Sequence, residues 1–250
     1  MAEHPIIPVH TTSKYGGTPD GSIPESMNDM ADPFICLAIA SATTSKMMLG
    51  TSICLVPEHN PLVQAKQIAA LDFHSGGRFI FGIGTGWLRE ETEIMGGDFE
   101  HRWTQTREAI EVMKELWTKE EAEYHGRYFD FPLVKSYPKP LQKPYPPIIL
   151  GGMAKNVLRR VVAHADGWLP NRVTPADVEE SRKKLDAIAA EAGRDPKSIT
   201  ISVYGQLPER DIVHSLLNAG ADRVVVRPEH VETEKEMGEQ LERMAEAVLR

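Results

Sequence analysis

A parallel α/β fold is predicted by three observations. Apolar runs of strand length alternate with segments of helical period from residue 46 onward, glycines close several of the helical segments, and neither a fixed-period repeat nor a linker breaks the alternation. Right-handed crossovers leave a barrel or a doubly wound sheet as the candidate architectures. The chain has 250 residues, close to the usual size of a (β/α)8 barrel.

The first thirty-odd residues belong to neither element. Pro5, Pro8, Gly16, Gly17, Pro19, Gly21, Pro24 and Pro33 break every period, so residues 1–33 read as a loop or lid. Phe34, Leu37, Ala38 and Ser41 then mark one face of a short helix, and Lys46 to Leu55 reads as a strand. Asn60 caps a helix with Pro61 at its first position, and Leu62, Ala65, Ile68 and Leu71 form its stripe before Gly76-Gly77 end it. Phe79 to Ile83 is the next strand, and Thr104 to Trp117 a helix by the recurrence of Ile110, Met113 and Trp117. Residues 124–147 form an excursion between units, rich in proline, with a short strand expected around Arg127, Tyr128 and Phe129. Further strands are expected at Ile148–Leu150, Gly167–Leu169, Ile199–Tyr204 and Arg223–Val226. Helices are expected after Asn156, after Thr174-Pro175, over Ile212–Leu217, and along Met237, Leu241, Met244 and Val248. The whole chain, 1–250, reads as a single domain.

Composition narrows the function. Lys and Arg total 28 against 36 Asp and Glu, a formal net charge of −8, which opposes nonspecific nucleic-acid binding because phosphates require basic surface. Hydrophobic residues at 41% and charged residues at 26% are those of an ordinary globular protein. No apolar run is long enough to span a bilayer. Met-Ala-Glu-His-Pro has neither a basic start nor an apolar core, so no signal peptide is read and the expected location is cytoplasmic. Cys36 and Cys54 lie in apolar contexts and suggest no disulfide framework.

In a parallel βα array, ligands bind in the loops at the carboxyl ends of strands. Three such loops stand out: Thr51 to Pro61, Gly82-Ile83-Gly84-Thr85-Gly86-Trp87, and Gly151-Gly152-Met153-Ala154-Lys155. The second departs from a dinucleotide fingerprint, since Trp87 occupies the third glycine position and no acidic residue ends a following strand. Its glycines serve either close packing or the approach of backbone to a planar ring. Gly151-Gly152 reads as leading directly into a helix, which makes either an anion site or a plain turn. Arg172 and Arg227 follow strands and can meet a phosphate or a neighbouring carboxylate. Metal chemistry finds little support: no His-Glu-x-x-His pattern or Cys-His cluster occurs, His59 reads as a turn residue, and His74 as a helix-end residue. A Gly-x-Ser-x-Gly elbow is likewise missing.

Taken together, Ser-Lys-Met-Met-Leu-Gly-Thr-Ser-Ile from Ser45, Asn60-Pro61, Leu71-Asp-Phe-His-Ser-Gly-Gly-Arg78, Gly82-Ile-Gly-Thr-Gly-Trp87, Pro147-Ile-Ile-Leu-Gly-Gly152 and Asp166-Gly-Trp168 are specific as an ordered set. The set resembles the luciferase-like monooxygenase superfamily, in particular its deazaflavin-dependent oxidoreductase branch. The resemblance implies a (β/α)8-type barrel binding coenzyme F420, or alternatively FMN, at the carboxyl ends of its strands. It implies a homodimer acting on a small-molecule substrate. Carried over, Ser52 and Ile53 match a bulge that often holds a non-proline cis peptide against the ring. Thr85 and Gly86 match residues beside the ring and substrate, and Gly151, Gly152, Met153 and Ala154 the phosphate-side wall. Arg172 and Arg227 are added as cationic candidates on the same face. Glu3-His4-Pro5 matches the end of a strand where a histidine serves as acid or base, which makes His4 the candidate catalytic residue. The implied reaction is hydride transfer to or from a small organic molecule, or its oxygenation in flavin-using relatives. The Gly-Trp turn favours the deazaflavin branch.

Family members begin with a strand, a helix and a second strand ahead of the Glu-His-Pro equivalent. Only six strands are recognisable here against the barrel's eight, so the barrel is expected to be incomplete at its N-terminus, with exposed edges. A misplaced start, a shortened form or a natural loss of activity would each explain this. The alternative function is accordingly a non-catalytic, cofactor-free barrel paralogue acting by binding or assembly. An unrelated sugar-phosphate barrel enzyme is disfavoured, since no catalytic Lys or carboxylate stands at a strand's end in the expected way.

Overall fold

Where one strand is expected over residues 46–55, the chain forms two short ones, Leu49–Gly50 (β1) and Cys54–Leu55 (β2). The break falls at Thr51–Ile53, where the Ser52–Ile53 peptide bond is cis. Both strands pair in parallel with Phe79–Gly84 (β3), so together they fill a single strand position. The computed structural model describes residues 1–249 and divides into two units, Met1–Ile148 and Ile149–Arg250.

In the first unit the N-terminal segment is irregular apart from a 3-10 turn at Glu25–Met27. It opens beside β1, where the Met1 ammonium donates to the Gly50 carbonyl (2.8 Å) and the Ser52 amide to the Met1 carbonyl (2.5 Å). Helix α1 (Pro33–Thr43) starts where Asp32 accepts the Ile35 amide and proline occupies the first turn; helix α2 (Pro61–His74) starts in the same way at Asn60. Arg78 fastens the ends of these helices together, donating to the carbonyls of Ser41, Thr44, Met47 and Ser75. A guanidinium suits this task because its planar fork presents five donors.

Phe79, Phe81 and Ile83 of β3 are fully buried, as are Ile68 of α2 and Ile110 and Met113 of helix α4 (Arg102–Thr118). The Trp117 indole of α4 donates to the Ala65 carbonyl of α2 at 2.9 Å. A short helix unforeseen in the sequence, α3 (Arg89–Ile94), follows β3; its Arg-Glu-Glu-Thr-Glu-Ile run has no apolar stripe to announce it. Instead of a lone strand at residues 127–129, the excursion folds as an antiparallel hairpin, Ala122–His125 (β4) with Asp130–Val134 (β5), and residues 127–129 fall in its turn. The buried Glu108 of α4 receives the Tyr128 amide there. The proline-rich return is tied down by Gln142, whose amides reach the buried Asp72.

The second unit is a run of parallel βα pairs: β6 (Ile148–Gly151, its first residue closing the first unit), α5 (Val157–His164), β7 (Gly167–Leu169), α6 (Pro175–Glu191), β8 (Thr200–Gln206), α7 (Arg210–Asn218), β9 (Arg223–Val226) and α8 (Glu234–Leu249). Pairing runs β6–β7–β8–β9, all parallel. Trp168, Ile201, Val203, Val178 and Leu185 form its core. Thr174 and Asp177 form a reciprocal capping box at the start of α6. The chain is therefore an α/β protein with six parallel strand positions among the described residues. None of the described helices is long and apolar enough to cross a membrane.

Candidate active site

The N-terminal segment runs alongside β1 and β2, which brings Glu3 and His4 to the carboxyl end of that strand position. His4 is nearly buried and is gripped at both ring nitrogens. Nδ1 lies 2.6 Å from Oε2 of the fully buried Glu91, and the Trp87 indole N–H donates to Nε2 at 3.3 Å. Because an indole can only donate, Nε2 must accept, so the ring proton sits on Nδ1 and points at Glu91. Trp87 also packs edge-on against His4, with ring centroids 5.7 Å apart. The other Glu91 oxygen accepts the Ile6 amide. The sequence offered His4 and Trp87 as separate features. Glu91 it did not offer, because a glutamate within an acidic run reads as surface charge.

Ser52 and Ile53 lie at the cis peptide. The Ser52 hydroxyl oxygen is buried and has no hydrogen-bond partner. Thr85 and Gly86 follow directly on β3 and are half-buried. The glycines before them serve packing: a Cβ on Gly82 would strike the Thr51 carbonyl, and one on Gly84 the Ile53 side chain. Of the two readings open for that loop, close packing therefore accounts for Gly82 and Gly84. Gly86 lies against the Glu58 carboxyl, its implied Cβ 3.2 Å from Oε1.

Glu58 closes a 3-10 turn after β2 and is only 4% exposed. Oε1 accepts the Thr92 hydroxyl at 2.9 Å, while Oε2 is buried without a partner. Burial, with the Glu91 charge next in importance, raises its pKa to about 8, so it carries a proton at neutral pH. Glu3 behaves in the opposite way. Burial opposes its charge, but hydrogen bonding and charge from His59, with the Leu55 amide, outweigh that and hold its pKa below the usual carboxylate range. The neighbouring Cys54 thiol is pushed well up by burial and then by Glu3.

In the second unit Gly151 ends β6, and Gly152 has a positive φ of 104° with open space where a side chain would stand. Its carbonyl accepts the Trp168 indole N–H at 2.9 Å. Met153 and Ala154 are exposed. The glycine pair does not lead directly into a helix as expected, since α5 begins only at Val157. The intervening turn is closed by the Val157 amide on the Ala154 carbonyl at 2.8 Å. Arg172 follows β7 with a φ of 53°, and Arg227 follows β9. Arg227 lines a cavity of about 290 Å³ together with Glu229, Arg243 and Met244, a grouping that includes neither the glycine pair nor Arg172.

A parallel α/β scaffold that gathers a histidine and a glycine-rich loop at neighbouring strand ends is the arrangement of the barrel-type proteins, whose ligands bind at strand carboxyl ends. The match to known proteins is more specific. Residues 10–208 fit the luciferase-like monooxygenase family model, and the chain belongs to that family. A protein of Mycobacterium tuberculosis described as uncharacterized is 40% identical over 211 residues, covering 81% of this chain and 73% of its own. An FMNH2-dependent dimethylsulfone monooxygenase of Pseudomonas putida is 28% identical over 173 residues, covering 68% of this chain and 47% of the relative. Among solved structures, the coenzyme F420 dependent tetrahydromethanopterin reductase of Methanopyrus kandleri superposes with a TM-score of 0.63 at 28% identity. That match covers 72% of this chain and 57% of the reductase. The fold is thus of the (β/α)8-barrel type, and the family's members are oxidoreductases and monooxygenases.

Proposed function

We propose that this chain is an oxidoreductase that uses coenzyme F420, with FMN as the alternative cofactor, and moves a hydride to or from a small organic substrate. The Ser52 hydroxyl carries the reading. It is a buried donor and acceptor without a partner, and it stands at the position that the family resemblance assigns to the ring. Such a group costs about 1–3 kcal/mol until something bonds it, and a heteroaromatic ring edge supplies the missing partner. The neighbouring residues suit a planar group: Ile53 offers an apolar side chain, and Thr85 and Gly86 offer backbone and small side chains. Gly151, Gly152, Met153 and Ala154 are proposed to take phosphate, with Arg172 as the cationic candidate, whereas Arg227 sits with Glu229 and Arg243 in a grouping apart from the glycine pair. A cytoplasmic location is part of the same reading.

When bound, the cofactor supplies the hydride chemistry. The protein's own contribution centres on His4. With its proton on Nδ1, the ring presents the Nε2 lone pair, and a proton taken there makes an imidazolium directly against the buried Glu91 carboxylate. Trp87 holds the same lone pair until a substrate proton takes its place, since its N–H and a protonated Nε2 would clash. The indole thus keeps the histidine in the tautomer that accepts.

Titration of the full chain with coenzyme F420 and with FMN, followed by fluorescence, tests the reading. Saturable binding of F420 is expected, weakened about tenfold in Ser52→Ala by loss of one hydrogen bond. His4→Asn is expected to bind the cofactor normally and to lose about 10²–10⁴-fold in turnover. Binding of FMN alone would reassign the cofactor. If neither bound, the oxidoreductase reading would fall and a non-catalytic role would replace it.

A further inference from the structure

Beside the residues assigned to catalysis stands a second group that the proposed reaction does not use. Glu3 Oε1, Cys54 Sγ and His59 Nε2 all lie within 4.8 Å of one another, although they come from three places in the first unit: the N-terminal segment, β2, and the turn that follows it. Glu3 is 5% exposed and Cys54 fully buried, while the His59 side chain is 20% exposed. His59 Nε2 is 2.9 Å from Glu3 Oε1. The sequence reads Cys54 as a buried apolar residue and His59 as part of a turn, because 55 residues of chain separate Glu3 from His59 and no ligand spacing connects them.

We propose that Glu3, Cys54 and His59 form a site for one borderline-soft divalent cation of the zinc class, bound through carboxylate, thiolate and imidazole. This donor set suits such an ion in type. Bonds of about 2.0 Å to nitrogen or oxygen and about 2.3 Å to sulfur place tetrahedral donors roughly 3.3–3.5 Å apart. The His59–Glu3 pair at 2.9 Å opens slightly on binding, and the outer limit of 4.8 Å for the group closes by up to about 1 Å. Each donor also has an outer partner to orient it: Gln64 Nε2 donates to Cys54 Sγ at 3.0 Å, the Leu55 amide donates to Glu3, and Phe34 packs edge-on against His59.

An independent observation also points to a cation. Three carboxyl groups, Glu3, Glu58 and Glu91, are buried in this part of the molecule, and Glu58 Oε2 has no hydrogen-bond partner. Glu91 is met by His4 and the Ile6 amide, Glu3 by His59 and the Leu55 amide, and Glu58 by the Thr92 hydroxyl alone, so no Lys or Arg side chain is among these partners. Buried carboxylate charge such as that of Glu3 is offset by a cation bound against it. In the binding step Cys54 releases its thiol proton to solvent, His59 ligates through Nε2 with its proton on Nδ1, and Glu3 ligates as the carboxylate. Nothing is oxidised or reduced. The ion would fasten residue 3, and with it the adjacent His4, to the end of β2.

The experiment uses tag-free full-length protein, stripped with chelator, dialysed and titrated first with Co2+ and then with Zn2+. The expected result is uptake of one Co2+ per chain, with tetrahedral d–d bands and a thiolate-to-cobalt charge-transfer band, both abolished by Zn2+. Cys54→Ser should lose the charge-transfer band. His59→Asn and Glu3→Gln should bind at least about tenfold more weakly, since loss of an outer partner alone costs about 10–100-fold. Binding should tighten as pH rises, because a thiol proton is displaced. The absence of a stoichiometric cobalt spectrum in the wild-type chain would overturn the proposal even if a variant failed to fold. So would uptake that Cys54→Ser and His59→Asn both left unchanged. Cofactor titration of the same stripped protein reports on the oxidoreductase reading separately, so failure of one does not imply failure of the other.

Discussion

At Glu58, burial and the neighbouring Glu91 raise the pKa to about 8, whereas an unfolded chain would titrate it near 4.5. Between those two values the folded protein binds the proton that the unfolded chain has lost, so this group makes stability fall as pH rises through that window. The slope is at most about 1.4 kcal/mol per pH unit. Glu3, with its lowered pKa, acts in the opposite sense: its contribution is present above about 4.5 and is lost only in acid. Comparing wild type with Glu58→Gln isolates the first effect. Urea unfolding midpoints of the wild type should drop relative to the variant between pH 5 and 8, and a constant difference across that range would contradict the assignment. The family resemblance offered His4 as a candidate through its Glu3-His4-Pro5 match. Glu58, Glu91 and Glu3 were illegible as buried groups, because a glutamate becomes unusual only once its surroundings exclude water.

The element that most affects access to His4 is the N-terminal segment. Glu90, on α3, accepts the Thr12 amide and hydroxyl and the Ser13 amide, while the Arg89 amide donates back to the Ser13 hydroxyl. Tyr15 then packs on Trp87, with ring centroids 5.3 Å apart, on the indole that engages His4. Those hydrogen bonds, led by the Thr12 amide, lower the Glu90 pKa to about 2. The contribution is therefore present above about pH 4.5 and disappears only as pH falls toward 2. Glu90→Gln at pH 7 should speed proteolytic cleavage between residues 12 and 24 several-fold, with the fold otherwise intact by circular dichroism. An unchanged cleavage rate would show that Glu90 does not hold this segment. The proline and glycine content of residues 1–33 announced a loop. It said nothing of the anchor, since α3 lacks the apolar period from which helices are read.

At the scale of the whole molecule, α1 and α2 of the first unit leave an apolar face uncovered. Ile35, Ile39, Val63 and Phe73 are 65%, 62%, 58% and 50% exposed, and a cavity of about 690 Å³ between the helices is lined by Phe34, Ala38, Ala70 and Leu71. Apolar patches of this kind mark association surfaces. The resemblance implies a homodimer, and the oligomeric state tests whether this face takes part in it. Light scattering of the wild type should then report two chains per particle, and Ile39→Glu should shift it to one. A monomeric wild type would reject the dimer, and a dimer untouched by Ile39→Glu would place the interface elsewhere.

Periodicity and punctuation in the sequence determined the α/β class, the strands at Phe79, Ile148, Gly167, Ile199 and Arg223, and the helix starts at Asn60 and Thr174, because each depends on residues a few positions apart. The ordered loop motifs were also enough to indicate the family. Tertiary structure alone decided the division of one apolar run into β1 and β2, the hairpin at residues 122–134, and the short helix that carries Glu90 and Glu91. It also decided the meeting of Glu3 with Cys54 and His59, and of His4 with Trp87 and Glu91. Those contacts join residues 51 to 87 positions apart, and their chemistry arises from burial, which a side chain acquires only when distant parts of the chain exclude water from it together.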